Sequence, residues 1–169
     1  RWTCYTGNSR GLYASPQKSV MQHLLGIDNV ALVVNKQIRT KHAAHALVTN
    51  AITGYNILET ANANPYIFPL LLSLEDGEQK SSAGKPYLVN VDEISATRIA
   101  EAVGIAYVHQ PDQPLASGNG QVLHPIDIFD YCYAILHSNK YRTLYREFLN
   151  SDFPRIPIPS SKEEMTQVI

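Results

Sequence analysis

Apolar and polar positions follow different periods in the two halves of the chain. Residues 29–34, continuously apolar after Asn29, form a run of strand length, which predicts a strand buried on both faces. Aromatic and β-branched residues predict a strand at Arg1-Trp2-Thr3-Cys4-Tyr5-Thr6, and further strands are expected at 44–49, 55–59 and 66–74. Pro69 lies inside the last of these, so an edge position or a bulge is expected there. Gly7 to Gly11 reads as a turn. Ser15-Pro16 opens a short helix that Gly26 stops, with Val20, Met21, Leu24 and Leu25 as its apolar side.

Beyond residue 90 the period becomes helical. Asp92 or Asn90 caps a helix that runs to about Val103, where Gly104 ends it. Pro125 starts another that continues to about Leu136. Ser138 caps a third, whose Tyr141, Leu144, Tyr145, Phe148 and Leu149 fall on one helical face. Residues 153–159 carry proline at 154, 157 and 159 and are expected to be extended or polyproline-like. Ser161-Lys162-Glu163-Glu164 reads as a capping box, while 75–86 and 108–122 read as loops. The pattern predicts an α+β fold: an N-terminal mixed β-sheet with a short helix, then a C-terminal helical part. We expect one domain over 1–169, mainly strands in 1–90 and mainly helices with a proline-rich strap in 91–169. The chain opens inside an apolar pattern and stops five residues after a capping box, so a fragment of a larger chain is expected.

Composition narrows the class. With 44% hydrophobic and 17% charged residues, a chain of 169 residues can bury a core without staples. No apolar run approaches the roughly 20 residues a membrane span requires, and no secretory signal is present. Cys4 and Cys132 fit neither a disulfide framework nor a zinc site, which points to a reducing, cytoplasmic setting. The net charge of −1 hides a gradient. Residues 1–60 hold six Lys/Arg against two Asp/Glu, residues 61–120 three against seven, and residues 121–169 five against six. The basic part is local and N-terminal, which keeps an anionic partner open.

Most groupings of chemically active residues have a structural explanation. His42 and His45 lie beside a predicted strand, where positions three apart face opposite sides, so they do not form a metal pair. Asn64-Pro65-Tyr66 has one proline where the base-flipping turn of amino-methyltransferases has two, and reads as a loop entering a strand. No nucleophile elbow, phosphate-binding loop or glycine-rich cofactor turn is present. Asp127 and Asp130 read as a solvated helix face, and the ten tyrosines mostly as packing. The basic residues remain. Arg10 sits in a glycine-flanked turn, and Lys36, Gln37, Arg39 and Lys41 bracket a connection between strands. Phosphates call for Lys/Arg, whereas base edges are read by Arg on guanine or Gln/Asn on adenine.

The stretch Ile128 to Ser138, with Tyr141-Arg142, Tyr145, Phe148-Leu149 and Asp152-Phe153-Pro154-Arg155-Ile156-Pro157, resembles a known signature. It is similar to the C-terminal specificity domain of fused bacterial restriction–modification enzymes, type ISP and related single-chain types. Arg1 to Tyr5, Pro16 through Leu24, Asn29 to Leu32 and Tyr66-Ile67-Phe68-Pro69-Leu70 agree with it, so the resemblance covers almost the whole chain. It implies a target-recognition domain for double-stranded DNA. The parent would carry an adenine-specific N6 methyltransferase using S-adenosylmethionine and, where it also cleaves, a nuclease domain; no cofactor is expected in this part. DNA-contact candidates are Arg10, Lys36, Gln37, Arg39, Lys41 and Arg155, the last paired to a carboxylate or facing phosphate. The helical part is expected to act as a buttress. The alternative is a non-catalytic interaction module using the tyrosine-rich helix pair.

Overall fold

A computed structural model describes residues 18–36, 46–53, 57–58, 65–74 and 84–168. The apolar run becomes β1 (Ala31–Asn35), with four of its five residues buried. It is the central strand of a three-stranded sheet, flanked by β2 (Ala46–Thr49) and β3 (Pro65–Pro69). Leu32 lies opposite Val48 and Phe68, and Val34 opposite Ala46 and Tyr66. Both faces are covered, as the unbroken apolar run requires. On one face Ala31 packs with Met21 and Leu24, from α1 (Lys18–Met21) and the 3₁₀ turn Gln22–Leu24. On the other, Val34 and Ala46 join the main core with residues from the C-terminal helices.

The expected α+β class is observed, but the described three-stranded sheet is antiparallel throughout rather than mixed. Parallel pairing occurs instead between β6 (Ala106–Tyr107) and β7 (Val122–Leu123), two short strands at either end of the region 108–122 read as loop. Their connection, residues 108–121, is long enough for the crossover that parallel strands need.

The single strand expected at 66–74 is two. Pro69 ends β3, Leu70 donates its N–H to Val30 O (2.8 Å), and β4 (Leu71–Ser73) pairs with β5 (Tyr87–Val89). Proline supplies no N–H, so a change of partner falls naturally there. Asn29 ties the two sheets together. Its Nδ2 donates to His23 O and Leu71 O (both 2.7 Å), and its Oδ1 accepts from Val30 N (2.9 Å) and Leu71 N (3.0 Å). All four hydrogen bonds a buried amide can make are thus made. Of the strand expected at 55–59, Ile57 and Leu58 form a bend and the rest lies outside the described residues, as does the strand expected at 1–6.

The helices follow their punctuation. Asp92 caps α2 (Glu93–Val103), accepting from Ser95 N at 2.8 Å, and Gly104 closes it at φ 70°, the left-handed geometry that favours glycine. Pro125 opens α3 (Pro125–His137). The next helix is broken: Tyr145, at φ −105° and ψ 17°, separates α4 (Asn139–Leu144) from α5 (Arg146–Leu149). The five-residue apolar face is divided with it, so that Tyr141 and Leu149 are buried while Leu144 is 69% exposed. The strap 153–159 has no regular structure and is held to the helices through two of its carbonyls. Tyr131 Oη donates to Pro157 O and Tyr141 Oη to Arg155 O, both at 2.9 Å. The last helix, α6 (Lys162–Val168), follows the Ser161 cap. Among the described residues, no helix is long and apolar enough to cross a membrane.

Candidate nucleic-acid interface

The strap meets the sheet where β1 ends. Because β1 and β2 are antiparallel neighbours, residues 36–45 leave and rejoin the sheet at the same end. Lys36 is exposed there, its Nζ 5.8 Å from the centroid of the Phe153 ring. Tyr66, near the start of edge strand β3, meets the same ring edge-on, with centroids 4.6 Å apart at 74°. Phe153 is seated by its own neighbour, since Asp152 Oδ1 accepts from Phe153 N at 2.8 Å. Two residues further on, Arg155 is exposed and its guanidinium lies 5.0 Å from the centroid of Phe148 in α5. Such a contact is worth about 0.5–1 kcal/mol at an exposed site and leaves the in-plane N–H groups free.

Of the six DNA-contact candidates, Lys36 and Arg155 are described, and the structure brings both to the strap. Arg10, Gln37, Arg39 and Lys41 lie outside the described residues, as do His42 and His45. Of the alternatives for Arg155, carboxylate pairing is not what is found. The described residues contain one ion pair, Lys85 with Asp112 at 3.5 Å, away from the strap. The Tyr66–Phe153 pair was not foreseen, since 87 residues separate the partners and each had a local explanation. A second unforeseen feature is Asn35. It is 2% exposed, and among the described residues neither atom of its side-chain amide has a hydrogen-bond partner. The signal was a polar residue directly after the apolar run.

Asp127 corrects the reading of a solvated carboxylate face. It is 7% exposed, and its Oδ2 accepts from His124 N (2.7 Å) and Gly118 N (3.0 Å). The carboxylate thus supplies an acceptor to two half-buried backbone amides, one at the helix start and one in the preceding loop. His124 Nδ1 bonds Ala116 O at 2.7 Å and completes the anchorage. Gly118 is required by close approach: a Cβ there would stand 2.0 Å from Val122 O. Asp130, beside it, has its carboxyl pushed above the usual range, first by burial and then by the Asp127 charge.

The described residues hold no group of three His, Cys, Asp or Glu able to bind a metal. Cys132 is free, and burial in α3 pushes its thiol up to about 11, so it is a poor nucleophile. Pro65 and Tyr66 are strand residues in β3, and Asn64 lies outside the description. An open groove of about 570 Å³ is lined by Ile27, Leu71, Tyr87 and Leu115, with Asp28 and Asp112 as its charged residues. Asp112 is paired with Lys85, and with Asp28 also acidic the groove has no cation among its described lining residues.

The fold is α+β, and where the strap meets the sheet it exposes Lys36 and Arg155 beside the rings of Phe153 and Phe148. The chain belongs to the type ISP C-terminal specificity domain family, which residues 1–169 match from end to end. It is accordingly a target-recognition domain of a restriction enzyme, the part that recognises DNA sequence. No curated protein and no solved structure matches it.

Proposed function

We propose that this domain selects the duplex site for a bacterial, cytoplasmic restriction–modification enzyme by placing residues 36–45 in the major groove. The observation that carries this is the convergence at one end of the sheet. The connection bearing Gln37, Arg39 and Lys41 starts at exposed Lys36, beside a strap that presents Arg155 without a carboxylate partner. Lysine and arginine there hold phosphates and set the register, while Gln37 and one of the arginines read base edges. Arg10 adds a phosphate contact from its own turn.

The parent chain carries the adenine N6 methyltransferase, and S-adenosylmethionine supplies the methyl group there. No residue of this domain fits that cofactor, because the sequence lacks a glycine-rich turn leading from strand to helix. An Asn-Pro-Pro-aromatic motif N-terminal to this domain in the intact enzyme is therefore expected.

The test is charge reversal at Arg39 and Lys41 in the intact enzyme, with methylated sites mapped along plasmid DNA and duplex affinity measured in parallel. Weakened binding with altered or lost site choice is expected. If affinity and site choice both survive, this placement of the reading loop is wrong.

A further inference from the structure

A second set of cations continues from the strap onto the helices, and of these the proposed loop reading draws on Arg155 alone. From the Lys36–Phe153 contact the strap leads to Arg155, seated on Phe148 of α5. Arg146 opens α5 and is exposed. Arg142, one helical turn earlier, is half-buried, and its Nη2 donates to Asn139 Oδ1 at 2.8 Å. Tyr141 joins the group by donating to Arg155 O, and it packs against Tyr145 with ring centroids 4.9 Å apart.

Among the described residues, none of Arg142, Arg146 and Arg155 forms an ion pair, although Glu147 and Asp152 lie on the same elements. Lys140 differs, because its charge acts on Glu164. The Phe148 ring holds the Arg155 guanidinium and the Asn139 amide oxygen that of Arg142, while Arg146 is exposed at the start of α5, so the charge of all three stays available. Planar forks held this way suit bidentate phosphate oxygens.

We propose that Arg142, Arg146 and Arg155 clamp the DNA backbone beside the stretch read by the β1–β2 connection, which makes α4 and α5 a DNA-contacting face rather than a buttress alone. This rests on the DNA-reading function proposed above. Phe148 and Tyr141 are positioning residues for Arg155.

The experiment measures binding of the intact enzyme to a fluorescent 30-base-pair duplex of arbitrary sequence over a salt series, because phosphate contacts are indifferent to sequence. Replacing the three arginines by glutamine lowers the slope of log affinity against log salt by about 3, roughly one per contact. Replacing them by lysine keeps most of that slope, and an unchanged thermal melt shows that the fold persists. A glutamine variant with the parent's slope overturns the clamp, and so does one that instead loses binding to an acidic protein partner. If the unaltered enzyme shows no salt-dependent duplex binding, the underlying function fails as well, and the two failures are thereby distinguished.

Discussion

Replacing Asp127 tests how the loop before α3 is held. Its Oδ2 accepts two backbone N–H groups, from Gly118 at 3.0 Å and His124 at 2.7 Å. Asp127→Asn can place its amide oxygen where Oδ2 now sits, so both bonds survive without the charge. Bonds to charged groups contribute about 1.5–3 kcal/mol and neutral ones about 0.5–1.5, so the asparagine variant should lose about 2 kcal/mol. Asp127→Ala leaves both amides without the acceptor, at about 1–3 kcal/mol each, for a loss of about 3–4 kcal/mol. In a domain of this size 1 kcal/mol moves Tm by about 2–4 °C, so alanine should lower it by about 6–15 °C and asparagine by about half as much. Circular dichroism melts and urea titrations of the two variants measure this, and limited proteolysis near Ser117–Gly120 should quicken in the same order. An alanine variant melting within about 2 °C of the parent would show that water or another group satisfies these amides, and the argument would fail.

Asn35→Leu removes a buried amide with no partner on either atom among the described residues, a burden of about 1–3 kcal/mol per group. Its melt should rise, and a fall would show that the amide is satisfied in solution. Asp130 titrates above its ordinary value in the folded state, so the fold binds the extra proton and stability falls as pH rises from about 4 through the raised value. Measured by urea titration against Asp130→Asn, which keeps every other titrating group, the parent should lose stability relative to the variant as pH rises from about 4, and a difference that stays flat or grows in the parent's favour would contradict the assignment.

Local punctuation in the sequence carried far. Asp92, Gly104, Pro125, Ser138 and Ser161 each mark a helix end through groups within four residues, so no tertiary knowledge was needed. The unbroken apolar run likewise announced a strand covered on both faces. Pro69 marked an irregularity, but not that the chain would leave one sheet for another, because strand partners are chosen across the fold. The same reason hid β5, β6 and β7, which are two or three residues long and acquire their identity from pairing alone.

The surface divided along similar lines. The sequence by itself determined an α+β domain, the helix ends marked by caps and proline, the basic connection after β1 and the likeness to a specificity domain. Only the tertiary structure decided that Lys36 and Tyr66 meet Phe153, that Arg155 lies on an aromatic ring instead of a carboxylate, and that Asp127 is buried. Helix caps and hydrophobic periods are set by neighbours along the chain. The charge state and exposure of a surface group are set by whatever the fold brings beside it, whether a few residues away, as Phe148 is from Arg155, or far along the chain, as Phe153 is from Lys36 and Tyr66.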